Sequence, residues 1–353
     1  MTTIYLIRHA EAEGNLYRIA QGQYNSLLTD RGQRQVAALE ARFADIHVDA
    51  VYSSDLYRTC ATAAAIYRPK GLPLHRRTDL REICVGVWEQ RTWGDIARTD
   101  PEQMENFSRH PERWQVEGGE PPARVLARVR AAVEDIARKN QGKTVAVFSH
   151  GYAIRLLLAS LQGYTIEQLA STPVGDNTAV SLLREENGRM EVVFRDDNSH
   201  LRTEAYLAGE KGGKRANGLE PGLYFEPLRL PEQSAFFDRC AAEAGVPGCP
   251  GETALVGYLN GEPVSLLQMG PETGRIALAC VCPGYRGRGF GVQMIGQAVQ
   301  LTRKLDGQTL RVTPGESAAF WETYGFRPGT QPGELEKSIG FDPAYLALPP
   351  AEV

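Results

Sequence analysis

The chain has 353 residues, of which 42% are hydrophobic and 23% charged, with a formal net charge of −4. That length exceeds one ordinary domain, so two or three are expected. The slightly acidic balance argues against bulk nucleic-acid affinity, and no apolar run approaches the ~20 residues of a membrane-spanning helix.

Residues 3–7 read as a strand that delivers Arg8 and His9 at its carboxyl end. A strand at this point takes the place of a secretory leader's basic-then-apolar stretch, so a cytoplasmic location is expected. A Gly/Asn/Gln-rich loop follows, and Thr29 or Asp30 caps an amphipathic helix to about residue 44. Residues 51–53 form a short strand, after which Ser54 or Asp55 caps a helix over 56–67. A loop-rich middle carries Trp88 and Trp93, both read as core. A helix over 122–139, a strand over 144–148 ending in Ser149-His150-Gly151, a helix over 152–161 and two antiparallel strands, 179–184 and 190–195, complete an α/β unit with a mostly parallel sheet.

Residues 207–222 are polar and glycine-rich without apolar period, and read as a linker. Beyond them lie a strand (223–228), a helix (232–243) and a hairpin of 253–259 and 263–269 about Asn260-Gly261. A strand over 275–281 places Cys280 and Cys282 on one face. A glycine-rich turn, a helix over 289–305, a strand at 309–312, a helix at 317–324 and a strand near 335–338 finish the chain. The six cysteines read as free thiols in a reducing compartment.

In open α/β sheets ligands lie beyond the carboxyl ends of the strands. His9 and His150 both sit at such ends, and neighbouring strands would bring the imidazoles together. Arg8 is there by sequence, and Arg58 falls in the first turn of a helix whose N-terminus favours an anion. Two guanidiniums and two imidazoles describe a pocket for a tetrahedral dianion. Nearby positive charge favours neutral imidazole, so His9 is a candidate nucleophile toward phosphorus. Arg8, Arg58 and a protonated His150 would stabilise the equatorial oxygens. Glu82, an isolated acid in a partly apolar loop, is the candidate proton donor, its pKa raised by crowding from apolar neighbours or from anionic substrate.

Several blocks of residues 1–201 resemble the histidine phosphatase superfamily, in its phosphoglycerate-mutase-like branch. Arg8-His9-Ala10-Glu11 matches the opening signature, with Ala10 in place of glycine. Tyr52-Ser53-Ser54-Asp55-Leu56 with Arg58-Thr59, Leu80-Arg81-Glu82-Ile83, Gly118-Gly119-Glu120 and Phe148-Ser149-His150-Gly151 follow in order. The resemblance implies a three-layer α/β/α fold and His9 as nucleophile. It implies Arg8, Arg58 and His150 as phosphoryl ligands, Asn15 as a further phosphate ligand, Glu82 as proton donor, and no metal or other cofactor. A small phosphorylated metabolite is the implied substrate. The short segment between Glu82 and Gly118 favours phosphomonoester hydrolysis over mutase activity, which stays the alternative.

Arg286-Gly287-Arg288-Gly289-Phe290-Gly291 follows the strand ending at Val281 and opens a helix, so its backbone amides can approach a pyrophosphate. Residues 222–353 resemble the GNAT N-acetyltransferases, with Arg286, Gly289 and Gly291 at their turn positions and Phe320-Trp321 to Gly325-Phe326 as the late element. The implied fold is α+β with a mixed sheet, the implied cofactor acetyl-CoA, and the implied partner an unidentified amine. Trp321 occupies the position of the family's usual general-acid tyrosine, so a non-catalytic acyl-CoA sensor is the alternative. The expected domains are 1–205 and 222–353, joined by 206–221.

Overall fold

Short apolar runs become strands, and the amphipathic stretches between them become helices that cover the sheets. The computed structural model describes residues 1–209, 222–246 and 252–346. The first part runs β1 (Thr2–Arg8), α1 (Glu13–Tyr17), α2 (Asp30–Phe43), β2 (Ala50–Ser54), α3 (Tyr57–Tyr67), β3 (Leu74–Arg77), α4 (Trp93–Thr99), α5 (Pro101–Arg109), α6 (Pro122–Lys139), β4 (Thr144–Ser149), α7 (Gly151–Leu161), β5 (Val180–Glu186), β6 (Arg189–Asp197) and α8 (Glu204–Ala208). Its mixed sheet has the order β3-β2-β4-β1-β5-β6. The first four in that order are parallel, and β5 and β6 are antiparallel additions.

Alternation along β1 divides the core between two faces. Ile4 and Leu6 join the cluster built by Val129, Val133, Ile136 and Leu157 of α6 and α7. Ile7 joins Leu39, Phe43 and Ile66 of α2 and α3 on the opposite face. β4 lies between β2 and β1, with Arg8 opposite Ser149 and Ser53 opposite Phe148. The carboxyl ends of these strands therefore share one edge.

The segment expected to be loop-rich holds α4 and α5, two short helices that abut at Asp100-Pro101, where the proline interrupts the helical period. They close an aromatic cluster in which the Trp88 ring centroid lies 6.4 Å from Trp93, 5.8 Å from Phe107 and 5.7 Å from Trp114. Thr29 caps α2 as expected, its hydroxyl accepting from the Gly32 N–H. Neither Ser54 nor Asp55 is the N-cap residue of α3, which is Leu56; the Asp55 carboxylate is taken by Arg81 at 2.6 and 2.5 Å.

The second part runs β7 (Tyr224–Pro227), α9 (Ser234–Ala244), β8 (Thr253–Leu259), β9 (Glu262–Gly270), β10 (Arg275–Val281), α10 (Phe290–Arg303), β11 (Thr309–Val312), α11 (Ala318–Thr323), β12 (Arg327–Pro328), β13 (Leu335–Ser338) and α12 (Pro343–Leu346). Its mixed sheet has the order β12-β13-β11-β10-β9-β8-β7. Asn260 and Gly261 both take left-handed φ values, 51° and 85°, as a two-residue hairpin turn requires. β10 pairs in parallel with β11 only at Arg275 and Ile276, then continues to Val281.

Of the expected linker, residues 206–208 complete α8 and residues 210–221 lie outside the described residues. The two sheets are not independent bodies. Tyr17 and Ile19 from the first part belong to the same buried cluster as Leu267, Ile295 and Val299 from the second. Among the described residues, no helix is long and apolar enough to cross a membrane.

Candidate active site

The shared edge of β1, β2 and β4 brings the two histidines together. The His9 amide donates to the Ser149 carbonyl (3.0 Å), continuing the β1–β4 pairing past the end of the strand. The imidazole centroids lie 5.3 Å apart at 56°, and both rings are buried. His9 Nδ1 lies 2.7 Å from the Ala10 carbonyl. A carbonyl only accepts, so Nδ1 carries the proton and Nε2 the lone pair. His150 Nε2 lies 2.8 Å from the Ser54 hydroxyl, while its Nδ1 is buried without a protein partner.

The two arginines are anchored by main-chain carbonyls, not carboxylates. Arg8 Nη1 donates to the Gly175 carbonyl at 2.5 Å. Arg58 donates through Nη2 to the Gly22 carbonyl (2.7 Å) and through Nη1 to the Tyr24 carbonyl (2.9 Å). The Nε–H of each is buried and unpartnered, while the nearby Glu82 carboxylate favours the charged form of both guanidiniums. Burial lowers the Arg58 pKa to about 10, which leaves it charged at neutral pH. Burial first, then Arg58 and Arg8, hold the His9 pKa well below the ordinary imidazole value. His150 is lowered in the same direction by burial, then Arg58 and His9. Both directions favour the neutral imidazole.

Glu82 reaches the same site from the loop after β3. Its Oε1 accepts from the Ile83 and Ala153 amides at 3.0 Å each, and Oε2 from the Tyr152 amide at 3.1 Å. Main-chain N–H groups, two of them from the first turn of α7, surround the carboxyl. Asn15, in α1, receives the Ala12 amide on Oδ1 at 3.0 Å, and Asn177 bridges Asn15 and the His9 carbonyl. His47, His75, His110 and His200 lie elsewhere. His75 stacks on Tyr52 and His200 is buried against Arg42 and Thr178.

Sequence reasoning missed the brace behind Glu82. Arg128 of α6 donates to the carbonyls of Asp79, Arg81 and Glu82 at 2.6–2.9 Å and pairs with both Glu120 oxygens at 2.8 Å. The Ser149 hydroxyl adds a bond to the Leu80 carbonyl at 2.7 Å. The available signal was Arg128 on the otherwise apolar face of a helix, eight residues after Glu120.

The second candidate site is the turn before α10. Gly287 and Gly289 take φ values of 74° and 79°, and neither has an atom within 4 Å of where a side chain would begin. That is the open, left-handed backbone needed to present amides to a phosphate. Val281 ends the stretch of β10 that has left β11, and Phe290 and Gly291 begin the helix, with the Phe320 ring packed against Gly291. Arg286, at the surface, donates to the Val281 carbonyl and pairs with Glu243 (2.9 Å each). Arg288 lies over Tyr285 and Phe290. β11 ends at Val312, opposite Ile276, so β10 runs on past it toward the glycine turn, an arrangement with room for an extended phosphate-bearing ligand. Trp321 is buried, with its indole N–H donated to the Ser317 hydroxyl at 3.1 Å. Among the described residues, no group of three or more His, Cys, Asp or Glu side chains is placed to hold a metal ion.

Comparison with known proteins agrees with both halves. The model of the histidine phosphatase superfamily, branch 1, matches residues 4–198, and that of the acetyltransferase (GNAT) family matches 219–326. Phosphoserine phosphatase 1 of Hydrogenobacter thermophilus is 29% identical over 211 residues, covering 60% of this chain and 99% of that protein. A probable phosphoglycerate mutase, GpmB, of Escherichia coli is 33% identical over 167 residues, 46% of this chain and 76% of that one. Among solved structures, Bacillus stearothermophilus YhfR superposes with a TM-score of 0.56 at 30% identity, covering 57% of this chain and all of its own. The chain belongs to the histidine phosphatase superfamily and carries a GNAT-like domain behind the phosphatase fold.

Proposed function

We propose that this is a metal-independent phosphomonoester phosphatase working through a phosphohistidine, joined to an acetyl-CoA-dependent N-acetyltransferase. The observation that carries the first half is His9, whose Nδ1 proton is held by the Ala10 carbonyl so that Nε2 offers its lone pair beside His150 and two arginines. Nε2 attacks phosphorus and forms the N–P bond as the P–O bond to the leaving alkoxide breaks. Arg8, Arg58, His150 and Asn15 take the equatorial oxygens. Glu82 passes its proton to the leaving oxygen from Oε2, which the Tyr152 amide positions while Oε1 accepts the Ile83 and Ala153 amides. The resulting carboxylate then takes a proton from water, which attacks phosphorus, releases phosphate and restores neutral His9.

Hydrolysis of p-nitrophenyl phosphate by the full chain tests this, followed by a panel that includes phosphoserine, sugar phosphates and nucleotide-precursor phosphates. His9→Ala is expected to lose at least roughly a thousandfold in kcat and to trap no acid-labile phosphoryl label. Wild-type-like turnover in that variant would remove His9 from the role. The similarity to a probable mutase supports a second reading. Rapid interconversion of 3- and 2-phosphoglycerate with 2,3-bisphosphoglycerate, without net phosphate release, would replace the hydrolase reading.

In the second half, the amides of residues 287–291 and the open edge of β10 at Val281 would hold acetyl-CoA, which supplies an activated acetyl thioester. The buried Trp321 offers no acid to the thiolate, and this favours the sensor as the second reading. Calorimetry with acetyl-CoA beside a thiol-release assay over an amine panel separates the two, since turnover with any amine excludes a pure sensor. The domains remain those expected, 1–205 and 222–353, except that α8 carries the first of them on to Ala208. A cytoplasmic location is supported by five unpaired cysteines among the described residues.

A further inference from the structure

We propose that the C-terminal domain supplies a positioning residue to the phosphatase site: Arg303, acting through Glu13 on the loop that anchors Arg58. The proposal rests on the phosphatase reading above. Arg303 is the last residue of α10 and Glu13 the first of α1. Their fork-to-fork pair is buried, with Nη1 to Oε2 at 2.7 Å and Nη2 to Oε1 at 3.0 Å. Arg303 is itself fixed by its Nε–H on the Ile339 carbonyl (2.8 Å) and by the Phe341 ring at 5.0 Å.

Glu13 does more than neutralise that arginine. Its Oε2 also accepts the Leu27 amide at 3.0 Å, and its own amide donates to the Leu27 carbonyl at 2.9 Å. Glu13 thus ties off the loop from Arg18 to Leu28. The same loop carries the Gly22 and Tyr24 carbonyls, the two protein acceptors of the Arg58 fork. Asn25 of this loop accepts the amide of Tyr57, next to Arg58, at 2.9 Å. Tyr57 in turn packs edge-on against Phe341 and Tyr345, with centroids at 5.1 and 5.2 Å. Closeness along α10 has a cause in the sequence. A Cβ on Gly296 would fall 2.5 Å from the Tyr17 Cβ, so only glycine lets α10 lie against α1 at this distance. Arg58 is therefore aimed by contacts that converge from residues 303, 341 and 345, beyond the phosphatase fold.

Breaking one partner of a buried ion pair leaves the other charge uncompensated, whereas removing both can be close to neutral. The test is built on that asymmetry, in the full chain, with p-nitrophenyl phosphate as substrate and orthovanadate as a non-turnover ligand. Arg303→Met and Glu13→Gln are expected to lower Tm and to raise KM and the vanadate inhibition constant about fivefold or more, with kcat changed less than threefold. The double variant Glu13→Gln/Arg303→Met is expected to regain most of the Tm while keeping the raised KM and inhibition constant. A purely structural pair would recover both together, and that result overturns the proposal. So does KM within twofold of wild type in a folded single variant. If Arg303→Met does not fold, the double variant alone decides by the same two readouts. Wild-type turnover with loss in His9→Ala, measured alongside, keeps failure of the positioning role distinct from failure of the phosphatase reading.

Discussion

Burial and then the neighbouring guanidiniums disfavour imidazolium at His9 and His150, and the same burial links them to stability. His200 joins them, pushed down to about 4 by burial and then by Arg42. Arg42 Nη1 lies 3.2 Å from His200 Nδ1, and arginine only donates, so Nδ1 accepts and Nε2–H donates to the Thr178 hydroxyl. In each case the folded pKa lies below the unfolded value near 6.5. The unfolded chain gains protons first as pH falls, so this stability is fully present above about pH 6.5 and is lost on acidification toward the folded pKa. Each histidine contributes a slope of up to about 1.4 kcal/mol per pH unit within its window. The urea midpoint is expected to fall between pH 7 and pH 5. His200→Asn, remote from the chemistry, is expected to lessen that fall. A midpoint unchanged over the range in the wild type would show that the buried rings titrate normally.

Elements divide into those whose signal is local and those made by contacts. Strands β1, β4, β10 and β11 and helices α2, α6 and α10 were legible because apolar period, capping threonine or flanking glycine lies within each segment. The strand-end placement of Arg8, His9 and His150 followed from the same signals, and Arg58 from the strand before it. Helices α1, α4 and α5 and strand β3 were not legible: they are four to nine residues long, and short elements are fixed by what they pack on. The surroundings of Glu82 were illegible for the same reason, since they come from α6 and α7, far along the chain. Arg128 is the element-scale device that holds the loop from 79 to 82 in reach. Arg128→Met removes charge-assisted bonds worth about 1.5–3 kcal/mol each and is expected to misplace the proton donor. Rates on alkyl phosphates, whose leaving group needs a proton, should then fall at least about tenfold more than rates on p-nitrophenyl phosphate. Equal losses on both substrates would place Arg128 in folding alone.

At the scale of the molecule, the two domains meet through a buried ion pair and an apolar cluster that draws Tyr17 and Ile19 into the second core. Further contacts ring that centre: Arg327 pairs with Asp30 at 2.6 Å, Gln300 donates to the Gln90 carbonyl at 2.7 Å, and Arg98 lies 4.5 Å over Tyr224. Domains joined only by a linker unfold separately, while domains that share a core lose their contacts together. A single calorimetric transition is therefore expected, with phosphatase activity and second-domain fluorescence lost at one temperature. A ligand that binds only the folded chain stabilises it by about 2.7 kcal/mol at a hundred times its Kd. Acetyl-CoA, whose proposed site begins α10 at the far end from Arg303, should then raise the temperature at which phosphatase activity is lost. Two separate transitions, with acetyl-CoA moving only the one that leaves phosphatase activity untouched, would show that α10 does not join the domains into one cooperative unit.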